Sequence, residues 1–215
     1  MVVFAFVLTL VISFLLGSIP FGLIVGKFIF GMDIRSVGSG NIGTTNAMRA
    51  LGFKGGALVF LLDFGKGILS GLIALALYTY LVPSGVIAQD SVLTKQAFLA
   101  AAFFGCVSGH IFSPWLNFKG GKGIAVAVGC LFVTFGPLGA CLELLIFGIL
   151  VVATRFVSVG SIASALACPF FALYYCWGDV LAWFLCTIAA SLVVWAHRGN
   201  IERLFAGTEN RIGSK

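Results

Sequence analysis

The sequence predicts an all-α polytopic membrane protein with seven transmembrane helices. Three observations predict it. Hydrophobic types make up 60% of the 215 residues and charged types only 9%, where an ordinary soluble domain carries about 25% charged residues. The mean hydropathy is +1.14. The apolar residues fall in long runs, and the few polar residues cluster between them. So few charges could not cover the surface of a soluble protein, so a soluble globular domain, a disordered chain and a nucleic-acid binder are excluded.

The candidate spans, in order, are Val3–Phe30, Ala57–Val82, Gln96–Leu116, Ile124–Phe135, Leu138–Ala153, Val159–Trp177 and Val180–Ala196, judged against the roughly 20 residues a spanning helix needs. The first run is long and has no basic leader, so it reads as a retained helix rather than a cleaved signal. The fourth is short, and Gly136-Pro137 separates it from the modest fifth as a tight turn. Fusing those two would give six spans. Charge separates the counts. Thirteen basic and seven acidic residues give +6, and basic residues gather in cytoplasmic loops.

With seven spans and the N-terminus outside, the inner segments are Gly31–Gly56, Asn117–Gly123, Thr154–Ser158 and His197–Lys215. They hold nearly all the positive charge, and Lys27 ends the first span on the same side. The outer segments are Pro83–Lys95 and the turns at Gly136 and Gly178-Asp179; they hold Lys95 together with Asp90 and Asp179. Six spans would split the basic residues between the two faces. Seven spans, an outer N-terminus and a cytoplasmic C-terminus are therefore expected. With no repeat and no linker, residues 1–215 read as one domain. The six cysteines sit in apolar stretches without a CxxC pair and read as small buried hydrophobes.

The inner segments are richer in small polar residues than a connecting loop needs. The first runs Gly38-Ser39-Gly40-Asn41-Ile42-Gly43-Thr44-Thr45-Asn46 and is followed by Arg49. Glycines let backbone amides approach an anion, Ser, Thr and Asn add donors, and an arginine offers a fork for phosphate oxygens. The run also fits G-x-G-x-x-G, but spanning helices flank it where a dinucleotide fingerprint needs a βαβ unit. The second, Phe118-Lys119-Gly120-Gly121-Lys122-Gly123, opens the fourth span and offers helix-terminal amides and two lysines. It lacks the Walker A spacing. On its own it also fits a lysine pair anchoring a helix end at the headgroups.

The third segment, Arg155 to Ser161 with Ser158, Gly160 and Ser161, is weak alone, because serines with a glycine entering a helix are more often packing features than site features. The fourth is His197-Arg198-Gly199-Asn200-Ile201-Glu202-Arg203-Leu204, then Gly207-Thr208-Glu209. On a helix His197, Asn200 and Ile201 share a face; an amphipathic surface tail is the plainer alternative. The H-x4-E spacing of His197 and Glu202 is taken as coincidence. Asp63 and Lys66 lie three apart in a span, where ionisable groups are usually paired. His110, with Pro114 and Trp115, reads as structural, and Glu143 has no evident role. All four polar segments fall on one predicted side, which points to a phosphate-binding basin beneath apolar helices.

Together these motifs resemble the bacterial acyl-phosphate:glycerol-3-phosphate acyltransferase family (PlsY). The likeness rests on GSGNIGTTNAMR at Gly38–Arg49, LDFGKG at Leu62–Gly67, GH at Gly109-His110, FKGGKG at Phe118–Gly123 and HRGNIERLFAGTE at His197–Glu209. Thr44 and Gly199 depart from it: alanine is common at the first position and a larger, often acidic, residue at the second. The resemblance implies a seven-helix enzyme of the bacterial plasma membrane with its site on the cytoplasmic side. It implies acyl transfer from acyl phosphate to the sn-1 hydroxyl of glycerol 3-phosphate, giving lysophosphatidic acid and phosphate. No cofactor or metal is implied. The implied partners are the two substrates, the lipid bilayer, a peripheral enzyme that makes acyl phosphate, and a downstream acyltransferase.

By the same resemblance Ser39, Arg49, Lys122, His197 and Asn200 are the catalytic set. Gly38, Gly40, Asn41, Thr45, Asn46, Lys119, Gly120, Gly121, Gly123, Ser158, Ser161 and Arg198 are expected to bind substrate. Two phosphates side by side repel, so the site needs surplus cations and oriented amides. The family's implied route uses the acyl phosphate's own oxygen to take the hydroxyl proton. The residues alone leave open His197 as a general base. Two rival functions are a transporter of a phosphorylated solute and a non-catalytic lipid-binding protein. Transporter sites tend to lie at the midplane between repeats, and a lipid-binding role leaves the Ser- and Asn-bearing glycine loops unexplained.

Overall fold

The computed structural model describes residues 1–81 and 92–213, and among these there are helices, turns and no strand. The end of the second expected span, most of the expected outer loop Pro83–Lys95 with Asp90, and Lys215 lie outside the described residues. Helix α1 is Val2–Ser18; α2, Phe21–Ile24, runs on into a π turn at Val25–Ile29. A 3-10 turn at Ile34–Ser36 precedes α3, Thr44–Leu81. Then come α4 at Lys95–Ile111, a 3-10 turn at Pro114–Leu116, α5 at Ile124–Thr134 and α6 at Gly136–Thr154. Helices α7 at Val157–Tyr175, α8 at Val180–Ala196 and α9 at Arg198–Phe205 complete the order.

Among the described residues, five helical stretches are long and apolar enough to cross a membrane: Val2–Ile29, Thr44–Tyr80, Lys95–Leu116, Gly136–Thr154 and Val157–Tyr175. A sixth is reached if α8 and α9, bent by 50°, count as one. The expected fourth span is a separate helix, but α5 has 11 residues. At 1.5 Å per residue it is about 16 Å long, roughly half a hydrocarbon core. Gly136 at φ 74° breaks the chain between α5 and α6, and Pro137 sits in the first turn of α6, where a missing N–H costs nothing. The two are distinct helices on either side of this break. One boundary also moves. Helix starts at Thr44, well before Ala57, and Gly52 at φ 73° breaks α3 after its first two turns, so Arg49 stands on a short helix and not in a loop.

Small residues bring the helices together. Without a hydrophobic drive between helices in lipid, close backbone approach supplies the packing. A Cβ added to Gly109 of α4 would lie 2.0 Å from the Phe14 carbonyl oxygen of α1, and one added to Gly17 would lie 2.1 Å from that of Cys106. Between α3 and α5, a Cβ at Gly129 would meet the Phe64 oxygen at 2.1 Å and one at Gly67 the Val126 oxygen at 2.3 Å. Helix α4 is the buried centre, with Phe98 and Phe103 fully enclosed. Phe98 takes Phe6 and Tyr78 edge-on at 5.3 Å each. Leu15, Leu72, Leu145, Ile149 and Phe170 face outward, as a lipid-facing surface requires. The six cysteines are free, and Cys141 alone is exposed.

Asp63, Lys66 and His110 form one buried cluster beneath the polar end of the bundle. Lys66 Nζ lies 2.8 Å from Asp63 Oδ1 and 3.1 Å from His110 Nδ1, and it donates to the Ile19 carbonyl at 2.8 Å. That last bond reaches a carbonyl just past the end of α1, which also accepts from the Phe21 amide at 3.1 Å. Ser113 Oγ donates to the Ser18 carbonyl at 2.6 Å, and Trp115 Nε1 to Ser18 Oγ at 2.9 Å. These bonds hold the turn after α4, and with it the glycine-lysine loop, against the end of α1.

Candidate functional site

The first polar loop is folded by its own side chains. Asn46 is the staple: its Oδ1 accepts from the Ser39 amide at 2.9 Å, and its Nδ2 donates to the Ile34 and Asn41 carbonyls at 2.8 Å each. Asn41 Oδ1 in turn accepts from the Gly43 amide at 2.9 Å. Gly38 and Gly40 have φ of 61° and 68°, a region a residue with a Cβ enters at a cost. The result brings Ser39, Thr44, Thr45 and Arg49 to the wall of one cavity. Thr44 Oγ1 is buried without a hydrogen-bond partner. Arg35 is taken up by Asp33, with bonds of 3.0 and 2.7 Å. The hydrogen bond from Arg35 is the main reason the Asp33 carboxyl stays well below the usual carboxylate range.

The second loop uses its glycines differently from the sequence expectation. The Gly120 amide donates to the Ile111 carbonyl at 2.9 Å and the Gly121 amide to the His110 carbonyl at 3.0 Å. Those amides are spent on the loop and are not open to an anion. The bonds deliver Lys122, half-buried, and Gly123, at φ 84°, to the start of α5. Burial, reinforced by the Arg203 and Arg49 charges and opposed by Glu209, lowers the Lys122 ammonium pKa to about 8.

The third and fourth segments meet around Glu209. Its Oε1 accepts from Asn200 Nδ2 at 2.7 Å and from Ser158 Oγ at 3.0 Å; its Oε2 accepts from Arg203 Nε at 2.8 Å. Burial works against the charged carboxylate, but these bonds from Asn200, Arg203 and Ser158 hold its pKa below the ordinary value. Asn200 Oδ1 accepts from Lys122 Nζ, so a chain of polar contacts runs from the second loop to the fourth. His197 Nδ1 lies 2.8 Å from the Val193 carbonyl. A carbonyl only accepts, so Nδ1 carries the proton and Nε2 keeps a lone pair. Burial, with the nearby Lys122 charge, brings the His197 pKa down to about 4, against a raising effect of the Val193 bond. The imidazole is neutral at pH 7. Past α9, the Ile212 amide donates to the Arg155 carbonyl at 2.8 Å and Arg211 stacks over Phe156 at 5.0 Å, which ties residues 209–213 across the mouth.

One cavity of about 730 Å³ joins these groups. Its polar end carries Ser39, Arg49, Lys122, His197 and Asn200, and its other end is walled by residues such as Phe103, Leu131, Phe147, Ala165 and Ala190. The first turns of α3, α5 and α7 open on the polar end at Thr44, Ile124 and Val157. Helix N-termini carry a partial positive charge, although in α3 the Asn46 amide is already bonded to the Gly43 carbonyl at 3.1 Å. Arg49, Lys122 and Arg203 add full charges, and Glu209 offsets part of them. Such a cavity can seat phosphate at one end and an apolar chain at the other. Among the described residues, no group of three His, Cys or carboxylate side chains gathers as a metal site.

The glycerol-3-phosphate acyltransferase family model matches residues 7–207. The chain belongs to that family. A glycerol-3-phosphate acyltransferase of Synechococcus sp. (strain CC9902) is 42% identical, covering 97% of this chain and 96% of the relative. The crystal structure of PlsY (YgiH), an integral membrane glycerol 3-phosphate acyltransferase, in its glycerol 3-phosphate form superposes with a TM-score of 0.81 at 37% identity, covering 97% of this chain and 96% of that one. Its lysophosphatidic acid form gives 0.79 at 36% identity, covering 97% and 95%.

In this acyltransferase-family chain all five residues of the expected catalytic set line the same cavity, as do Asn41, Thr45, Asn46, Gly123, Ser158 and Ser161. Gly38, Gly40, Lys119, Gly120, Gly121 and Arg198 are not on its wall. Lys119 is exposed. Arg198 lies over the Trp195 ring at 4.0 Å and donates to the Trp195 carbonyl at 3.3 Å. Sequence reasoning did not select Arg203, Glu209 or Asp63, which also line the cavity. The signal for Glu209 was electrostatic: clustered cations that must stay together without substrate need an anion among them.

Proposed function

We propose that this chain, as a single domain over residues 1–215, transfers a fatty acyl group from acyl phosphate to the sn-1 hydroxyl of glycerol 3-phosphate. The observation that carries the reading is the convergence of Ser39, Arg49, Lys122, His197 and Asn200 on one cavity with an apolar arm. Family membership supports the acyltransferase class, and the glycerol 3-phosphate and lysophosphatidic acid forms of PlsY support the acceptor and the product. The donor is the finer part of the reading. A mixed anhydride brings a second phosphate, and the surplus of cations and helix N-termini suits two phosphates better than one.

In this reading Arg49 and Lys122 hold phosphate oxygens, and Ser39 and Asn200 donate hydrogen bonds. Asn200 and Lys122 are oriented by Glu209, Arg203 and Ser158. The acceptor hydroxyl oxygen attacks the acyl carbonyl carbon, and the bond from that carbon to the phosphate oxygen breaks. Phosphate leaves with the electron pair, and a phosphate oxygen takes the hydroxyl proton. A neutral His197 with its lone pair on Nε2 accepts a hydrogen bond from the neighbouring sn-2 hydroxyl and so orients the acceptor, leaving the sn-1 proton to the phosphate oxygen. Its low proton affinity supports this role over that of a general base. Rate then comes from proximity and charge stabilisation.

The proposal places the chain in the bacterial plasma membrane with seven spans, the N-terminus outside and the site on the cytoplasmic side. Its metabolic partner is the enzyme that supplies acyl phosphate. Purified protein in detergent, given glycerol 3-phosphate and either palmitoyl phosphate or palmitoyl-CoA, tests the reading. Lysophosphatidic acid from the phosphate donor alone is expected. Product from the CoA donor alone would overturn the donor assignment, and no product from either, with solute uptake in sealed vesicles, would favour a transporter.

A further inference from the structure

Glu143 stands on the cavity wall away from the polar end and, unlike Asp63, which also lines the cavity and is paired with Lys66 at 2.8 Å, it has no cation beside it among the described ion pairs. It sits within α6, is 5% exposed, and its Oε1 has no hydrogen-bond partner. The group beside the carboxyl is the Cys168 thiol, a weak hydrogen-bonding partner. Ser164 does not satisfy the side chain, because its Oγ donates to the Glu143 backbone carbonyl at 3.1 Å. A carboxyl at membrane depth with one oxygen unsatisfied and only a thiol beside it is costly and marks function by default. Its depth is informative. Leu131 and Cys168, which share the deep wall with Glu143, lie seven and eleven residues into α5 and α7 from the polar end. At about 1.5 Å per residue that is roughly 10–16 Å.

We propose that Glu143 is a specificity-determining residue for acyl-chain length. The inference rests on the acyl-transfer reading, in which the arm holds the fatty chain. Methylenes laid over Glu143 would strip the remaining solvent from a carboxyl whose Oε1 has no hydrogen-bond partner and whose neighbour is only the Cys168 thiol. Chains that stop short of Glu143 are accepted, and longer ones are penalised by about tenfold in kcat/KM, the effect of isolating one buried polar group.

The test measures kcat/KM for lauroyl, myristoyl, palmitoyl and stearoyl phosphates with glycerol 3-phosphate as acceptor. The wild type is expected to fall off at one length in this series. Glu143→Leu, close in volume and apolar, is expected to raise the longest donor relative to the shortest by about tenfold, and Glu143→Gln to keep the wild-type profile. A second measurement needs no variant. A terminal hydroxyl on the first disfavoured chain gives Glu143 a donor and restores turnover by the wild type. A flat wild-type profile, an unchanged profile in an active Glu143→Leu protein, or a hydroxyl that lowers turnover at every length would each overturn the proposal. A wild type inert with all four donors but active with palmitoyl-CoA would instead overturn the donor reading beneath it.

Discussion

Lys122 donates its Nζ hydrogen bond to Oδ1 of Asn200, a residue 78 positions away in the chain. The contact joins the glycine-lysine loop before α5 to the first turn of α9. Asn200 passes the connection on to Glu209 at 2.7 Å. Its two ends therefore have fixed roles: the carbonyl oxygen faces the ammonium and the amide nitrogen faces the carboxylate.

That polarity yields a first prediction. Asn200→Ala leaves both Lys122 and Glu209 with one partner fewer, and hydrogen bonds to charged groups contribute about 1.5–3 kcal/mol each. A fall in kcat/KM for glycerol 3-phosphate of roughly 10- to 150-fold is expected by that measure. Asn200→Asp should be no better, because it cannot donate to Glu209. Steady-state kinetics on the two variants checks this, and near-wild-type turnover of Asn200→Ala would refute it.

The acidity of Lys122 gives a second. Its pKa near 8 means that the ammonium is charged below that pH and loses its proton as pH rises through it. The cation that holds phosphate is thus lost on the alkaline side, and kcat/KM, which follows the free enzyme, should decline above about pH 8. Lys122→Arg keeps its charge throughout this range. Its profile should lack that alkaline limb, even if its overall rate is lower.

Glu209 supplies a third, on stability. Its folded pKa is depressed, so its contribution to stability is present above the ordinary carboxyl pKa and fades as pH falls through the folded value. Glu209→Gln removes the ion pair with Arg203 at 2.8 Å. Its thermal midpoint in detergent should lie below that of the wild type at pH 7, with the gap narrowing only as pH falls below the ordinary carboxyl pKa. A gap that stays constant with pH would assign the loss to packing instead.

Positions off the cavity wall give a fourth. Lys119→Ala and Arg198→Ala should each change kcat/KM by only a few-fold, because Lys119 is exposed and Arg198 rests on Trp195. Lys122→Ala and Arg49→Ala should each cost far more. Equal losses at all four positions would mean that the two exposed cations swing into the site.

A fifth concerns the frame. Gly129→Ala would put a methyl 2.1 Å from the Phe64 carbonyl oxygen and force α3 and α5 apart, at a cost of about 1–3 kcal/mol by the usual range for overpacking. A lower thermal midpoint is expected, together with weaker turnover, since α5 starts at Lys122's loop. A wild-type midpoint would contradict the close crossing.

Much of this was legible in the sequence because the chemistry is local. Apolar runs mark helices by length alone, and Ser39, Arg49, Lys122, His197 and Asn200 stand in three short polar segments that have few other reasons to be polar. What was not legible depends on distant partners. The amides of Gly120 and Gly121 look like an anion nest in isolation, yet they are consumed by carbonyls of Ile111 and His110. Asn46 looks like a phosphate donor and instead closes its own loop. Lys119 and Lys122 are equivalent on paper, and only the turn at Gly123 sends one inward. Asp63, Lys66 and His110 were visible as a pair and a bystander, whereas the fold makes them one cluster.

The central claim is that one pocket gathers the cations that hold phosphate, and its most direct test is a structure of the detergent-solubilised protein with glycerol 3-phosphate bound. The account predicts the phosphate within hydrogen-bond distance of both Arg49 and Lys122, with its free hydroxyls pointing toward His197. A ligand bound elsewhere, or one that touches only one of the two cations, would contradict it.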